Sequence, residues 1–142
     1  MRLGFYSSSG RKDIINVQQK VKEIFSENID DISIRKVRDF LFSLNDKSSS
    51  KVKEMLEFYS LSSVRDLLMN AQEKNFSIDE IKTLLNQLDL TFLGFADPNV
   101  KIIYKEEFPD DKLMLDLDNW IKFEKINNYA FINMYQFWVT KQ

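Results

Sequence analysis

The chain has no cysteine and no histidine, and only three of its 142 residues are glycine and two are proline. Without cysteine there is no disulfide framework, which is expected of a cytoplasmic protein. Without either residue, the usual ligands of zinc and iron–sulfur centres are missing. Ser-His-Asp and Cys-His nucleophile systems are excluded as well. Carboxylate, Lys, Tyr and Ser chemistry remain. The glycines stand at 4, 10 and 94. A loop that cradles a dinucleotide or an adenosine-bearing cofactor needs closely spaced glycines so that backbone can approach the ligand. Gly4 and Gly10 are too far apart, Gly94 falls inside a strand pattern, and a phosphate loop ending Gly-Lys-Ser/Thr is missing. No apolar run reaches the roughly eighteen residues that a membrane-spanning helix needs. Met1 to Tyr6 is too short an apolar stretch for a signal peptide. Neither sign of charge dominates: 20 Lys and Arg are interleaved with 22 Asp and Glu, for a net charge of −2. No basic stripe supports nucleic-acid binding.

What is present is apolar and aromatic. Hydrophobic residues make up 44 % of the chain and twelve are Phe, enough for a packed core and too many for a disordered chain. Residues 2–6 form a short apolar run stopped by Ser7-Ser8-Ser9-Gly10, which predicts a buried strand and a turn. From Lys12 to Asn28, Ile14, Val17, Val21, Ile24 and Phe25 recur at helical spacing. Asp31 or Ser33 caps a second helix with Ile34, Val37, Leu41 and Leu44 inward. Lys47-Ser48-Ser49-Ser50 reads as a short linker. A third helix runs through Val52, Met55 and Leu56, and a fourth follows Ser62 or Ser63 with Val64, Leu67, Leu68 and Ala71 inside.

Ser77-Ile78-Asp79-Glu80 is a capping box. The helix behind it carries Ile78, Ile81, Leu84, Leu85 and Leu88 and ends near Asp89. A second strand covers 90–95, and Asp97-Pro98-Asn99 marks a turn. Residues 110–126 read as a helix and 131–140 as a third, aromatic strand in which Tyr135, Phe137 and Trp138, like Phe92 and Phe95, pack the core. The expected fold is therefore a helix-rich α/β or α+β single domain over 1–142, with about three strands and about six helices.

Two polar groupings invite a chemical reading. Asp110, Asp111, Asp116 and Asp118 are a possible magnesium-binding cluster, or a helix start whose acids face the positive end of the helix dipole. Tyr59, Ser60, Ser62, Arg65 and Asp66 form the densest polar stretch. Tyr59, Ser60 and Arg65 either line a substrate pocket, with Arg65 pairing an acidic group, or belong to a helix cap at Ser62 with local ion pairs. Tyr6 and Ser7 lie at a strand's C-terminal end, where ligands of open α/β sheets bind, and are either pocket residues or a plain turn.

Four segments carry a resemblance. They are Met1-Arg2-Leu3-Gly4-Phe5-Tyr6-Ser7 with Arg11, Glu57-Phe58-Tyr59-Ser60-Leu61-Ser62 leading to Arg65-Asp66-Leu67-Leu68, Gln72-Glu73 with Leu90-Thr91-Phe92-Leu93-Gly94-Phe95, and Trp120-Ile121-Lys122-Phe123-Glu124 with Met134-Tyr135-Gln136-Phe137-Trp138. In this order they resemble the C-terminal portion of a bacterial family of class I S-adenosylmethionine-dependent methyltransferases, often fused to tetratricopeptide repeats. The resemblance implies a partial Rossmann-like sheet in which residues 2–6 are strand five, 90–95 strand six and 131–140 the antiparallel strand seven. The helices between 11 and 88 would be a family insertion on the active-site side. Tyr6, Ser7, Tyr59, Ser60 and Arg65 would belong to the acceptor pocket.

S-adenosylmethionine would be held by a preceding half, leaving no cofactor site and no catalytic residue in this chain. The family helix carries a His two residues before Gln-Glu where this chain has Asn70, an amide that does not titrate near neutral pH. The function expected is a substrate-pocket and lid segment, inactive alone. The alternative is a stand-alone interaction module of non-enzymatic function. The expected partners are the missing N-terminal half or a second copy in a homodimer, because strand five without strand four has an open edge.

Overall fold

A computed structural model describes residues 1–25, 31–55, 59–69, 73–132 and 134–141. Along the chain run β1 (Arg2–Ser7), α1 (Lys12–Ile24), α2 (Asp31–Ser43), α3 (Lys47–Lys53), α4 (Leu61–Met69) and β2 (Asn75–Phe76). These are followed by α5 (Ile78–Gln87), β3 (Leu90–Phe95), α6 (Pro98–Glu107), α7 (Leu117–Ile126) and β4 (Met134–Lys141). The fold is α+β and helix-rich, with an open, mixed four-stranded sheet. The chain divides into two compact units, Met1–Arg11 with Lys74–Gln142, and Lys12–Glu73. Among the described residues no helix is long and apolar enough to cross a membrane.

In the helical unit, Ile14, Val17 and Val21 of α1 meet Ile34, Val37 and Leu41 of α2, Val52 of α3, and Val64 and Leu68 of α4 in one buried cluster. Ile24, expected inside, is exposed because α1 ends there. Phe25 takes the inward place and meets Phe40 edge-on at 5.8 Å. The stretch Lys47–Ser50 is no linker but the first turn of α3. Asp46 makes it so: its carboxylate accepts from the Ser49 amide at 3.1 Å and the Ser49 hydroxyl at 2.7 Å, satisfying groups that a helix start leaves open. Lys20 pairs with the same carboxylate at 2.8 Å. Asp13 on α1 ties α3 down by accepting from Ser48 at 2.8 Å and Lys51 at 2.9 Å.

In the sheet unit the strand order is β2-β1-β4-β3. β4 runs antiparallel to both β1 and β3, so those two are parallel to each other, and β2 pairs in parallel with the end of β1. A two-residue strand such as β2 leaves no periodic signature, and the sequence reading lacks it. Tyr135, Phe137 and Val139 point into the core, and alternation sends Trp138 the other way, 46 % exposed, so it is not a core residue. Phe92 and Phe95 both face the core although three positions apart. A bulge between Phe92 and Gly94 resets the phase, with Gly94 at φ +114, a conformation that L side chains rarely adopt.

The capping box at Ser77 is present: Ser77 N–H donates to Glu80 at 2.8 Å and Glu80 N–H donates to the Ser77 hydroxyl at 3.2 Å. Leu88, expected inside, is the exposed residue that ends α5. The expected turn at 97–99 instead opens α6, with Asp97 as cap and Pro98 at the first helical position. Only Val100 and Tyr104 of α6 are buried, while Ile102 and Ile103 face outward, which blurs the apolar stripe in the sequence.

The helix expected over 110–126 begins only at Leu117, and Leu113 is exposed. The acids account for the difference. Asp111 accepts the Tyr104 hydroxyl at 2.6 Å and the amides of Asp116 and Leu115 at 3.1 and 3.3 Å, which folds 111–116 into a turn. Asp116 then caps α7. Trp120 and Phe123 anchor α7 on the sheet as expected, with Trp120 stacked on Tyr104 at 3.6 Å and edge-on to Phe95 at 4.8 Å.

Burial pushes the Asp111 carboxyl up, but the Tyr104 hydroxyl and the turn amides outweigh it, and the net shift is downward. A depressed folded value means that Asp111 stabilises the fold above the ordinary carboxylate range, and that this stabilisation is lost as pH falls through the folded value. Thermal melts of Asp111→Asn should therefore show a lower melting temperature at pH 7. They should also show a smaller loss of stability than the parent chain between about pH 4 and pH 2. Parallel pH profiles would contradict this role.

Candidate functional site

β1 and β3 are parallel, so their C-terminal ends lie at the same end of the sheet, the end at which open α/β sheets bind ligands. Tyr6 and Ser7 stand there, but differently from a pair of pocket residues. Ser7 is fully buried (0 %) and its hydroxyl is spent inside the turn, accepting from Gly10 N–H at 2.9 Å and meeting the Ser9 hydroxyl at 3.1 Å. Tyr6 is half-buried, and the Arg11 guanidinium lies over its ring at 4.1 Å. Arg11 is only 3 % exposed, and the ring face is a favourable lining for a desolvated cation.

A half-buried carboxylate closes the network. Glu124 on α7 accepts at a single oxygen, Oε1, from the Ser9 hydroxyl at 2.6 Å and from the Tyr135 hydroxyl at 2.5 Å. Burial raises the Tyr135 phenol above its ordinary value, and the adjacent Glu124 charge raises it further. Tyr135 is therefore a neutral donor near neutral pH and not a base. Ser9, Glu124 and Tyr135 were not singled out from sequence as site residues. The readable signal was Glu124 itself, a carboxylate four residues after Trp120 on the buried stripe of α7. Nothing local announced its partners, because sheet pairing brings them together.

Beside this network, at the ends of β3 and β4, is a shallow depression of about 240 Å³ lined by Asp97, Phe131, Ile132, Met134 and Gln136. Gln136 also accepts a hydrogen bond from Arg2, pairing across the sheet.

In the helical unit, Tyr59 is 68 % exposed, and Ser60 and Arg65 are exposed. Ser60, not Ser62, precedes the first residue of α4; its carbonyl accepts from Val64 N–H at 2.9 Å and its hydroxyl meets that of Ser62 at 2.9 Å. Leu56, Glu57, Phe58, Asn70, Ala71 and Gln72, which the sequence reading used, lie outside the described residues.

The turn after β1 does not fit S-adenosylmethionine. Its amides are already engaged, Gly10 N–H by the Ser7 hydroxyl and Arg11 N–H by the Ser7 carbonyl at 3.0 Å. The one glycine at positive φ lies in the β3 bulge, not in a strand-to-helix turn. Asp111 and Asp116, candidates for a cation, are spent on hydroxyl and backbone donors. Compared with protein-family models and with curated proteins, the sequence matches none.

If Glu124 orders the turn after β1, removing one of its two donors should loosen it without emptying the core. Tyr135→Phe should lower unfolding free energy by about 2 kcal/mol, the scale of a hydrogen bond to a charged group. Denaturant titration should show an unchanged slope and a shifted midpoint. A shift within about 0.3 kcal/mol, small even for a neutral hydrogen bond, would mean that the network contributes nothing.

Proposed function

We propose that this chain is the C-terminal, acceptor-side segment of an S-adenosylmethionine-dependent methyltransferase, with the methyl donor held by residues outside it. The observation that carries the reading is the order β1-β4-β3, in which β4 is antiparallel between two mutually parallel strands. Strands five, seven and six of the family the sequence resembles have that arrangement. The polar end of β1, where Tyr6, Arg11 and the Glu124 network meet, supports reading it as an acceptor-side wall. Tyr59, Ser60 and Arg65 keep an acceptor role only through the resemblance. The absence of cysteine supports a cytoplasmic setting.

The rival reading is a non-enzymatic interaction module that associates with a second copy of itself. β2 covers only the end of β1, at Tyr6 and Ser7, and the uncovered start of the strand favours this reading. The DNA upstream of the Met1 codon separates the two. A continuous frame bearing a Gly-x-Gly-x-Gly loop supports the enzyme, whereas a promoter and ribosome site directly before Met1 overturns it.

Calorimetry supplies the second check. Titration of S-adenosylmethionine into the purified chain should give no heat of binding at micromolar ligand. Micromolar affinity would overturn the assignment of the donor site to other residues.

A further inference from the structure

The two compact units have separate cores. Every described member of the aliphatic cluster, from Ile14 to Met69, lies within residues 12–73. Every described member of the aromatic cluster, from Leu3 and Phe5 through Ile78 to Val139, lies outside them. Polar ties reinforce each body. Within 12–73, Asp13 meets Lys51, Asp46 meets Lys20, and the buried Gln18 amide donates to the Leu67 carbonyl at 2.8 Å. Within the sheet unit, Glu124 holds Ser9 and Asp111 holds Tyr104.

The sheet unit also secures both ends from which the helical segment departs. β1 ends beside β2, pairing Tyr6 with Asn75 and Ser7 with Phe76. Ser8 N–H donates to the Phe76 carbonyl at 2.8 Å, and the Phe5 and Phe76 rings stack at 4.6 Å. The Gly10 and Arg11 amides close on Ser7. All of these bonds join residues of the sheet unit, so none is lost when 12–73 unfolds. The segment then becomes a flexible loop between two neighbouring strands, and the entropy of closing such a loop grows only with the logarithm of its length.

We infer that residues 12–73 are a separately cooperative body, which opens and refolds while the sheet unit and the turn after β1 stay formed. It is the less stable of the two. Val, Ile and Leu fill its core, whereas Trp120, Tyr104, Phe95 and Phe137 fill the other, and a buried aromatic side chain removes about 150–250 Å² from water. Elements that open to admit ligands come from the low end of a protein's stability range. The inference stands apart from the methyltransferase reading. Where that reading holds, it names the part of the acceptor-side segment that opens and the part that stays.

The placement of the chromophores makes this testable in the full chain. Both tryptophans, Trp120 and Trp138, belong to the sheet unit, whereas more of the described helix lies within 12–73 than outside it. In a urea titration the far-UV ellipticity should therefore fall in two steps, and tryptophan emission should change only in the second. Leu41→Ala truncates a fully buried side chain of the aliphatic cluster. It should favour the first step by about 30-fold or more, the scale of a large-to-small core substitution, and leave the emission midpoint in place. Tyr135→Phe should do the reverse, moving the emission midpoint and leaving the first step.

If Leu41→Ala loses the helical body even without urea, native emission with an unchanged midpoint supports the inference equally. A Leu41→Ala chain that loses native emission, or whose emission midpoint shifts together with its ellipticity, overturns it. Transitions that coincide in the parent chain and stay coincident in both variants also overturn it.

Discussion

The pairing of β4 with β1 is the constraint on which the sheet unit depends. Met1 and Val139, 138 positions apart, exchange backbone hydrogen bonds, and β4 then offers its other edge to β3. Until β4 is in place neither β1 nor β3 has an antiparallel neighbour, and the aromatic side chains of β4 are not delivered to the core. Tyr135 and Phe137 carry the consequence inward, where Phe95 lies within 6.1 Å of both rings and 4.8 Å from Trp120. Contacts so distant in sequence must overcome loop-closure entropy before they contribute. The helical stretch 12–73 lessens that difficulty by having its own buried cluster of Val, Ile and Leu. Its core contacts are local and do not wait for the sheet.

How much of this could be read from the sequence depended on whether the decisive interaction was local. The capping box at Ser77 and the inward faces of α1, α2 and α5 were legible because both partners lie within one helical turn or one periodic stripe. The strands at β1, β3 and β4 were legible as short aromatic runs. Two misreadings share a cause. Lys47–Ser50 looked like a linker and Asp97-Pro98-Asn99 like a turn because Ser, Asp and Pro serve turns and helix starts alike. What decides is the residue just before, Asp46 in one case, or the direction of the side chain, Asp97 in the other. The helix over 110–126 was read too long because its apolar residues keep helical spacing through Leu113, while Asp111 gathers the backbone amides into a turn instead.

The polar groups show why the candidate site was half-legible. That Tyr6 and Ser7 end β1 was legible, because it needs only the strand and its direction. Their chemistry was not legible, because it depends on Ser9 from the turn, Glu124 from α7 and Tyr135 from β4, elements joined only through the sheet. Sequence spacing carries no information about such a meeting. Asp111 and Asp116 illustrate the converse. They look like a ligand set when written in a row, but in the fold each has already been given to hydroxyl or backbone donors.

A carboxylate held at one oxygen by two hydroxyls constrains what this end of the sheet does. Ser9 and Tyr135 fix the orientation of Glu124 by donating to the same oxygen. Tyr135 in turn is held neutral by burial and by the charge it faces. Tyr135 is therefore not set up to give a proton to a base near neutral pH, and the turn amides close on Ser7 instead of opening toward solvent. The network is therefore suited to positioning. It holds the loop after β1 in one shape, and with it the Tyr6 ring and the Arg11 guanidinium stacked on that ring. On the acceptor-side reading proposed above, such a fixed wall would position a substrate while transfer of the reacting group is arranged elsewhere.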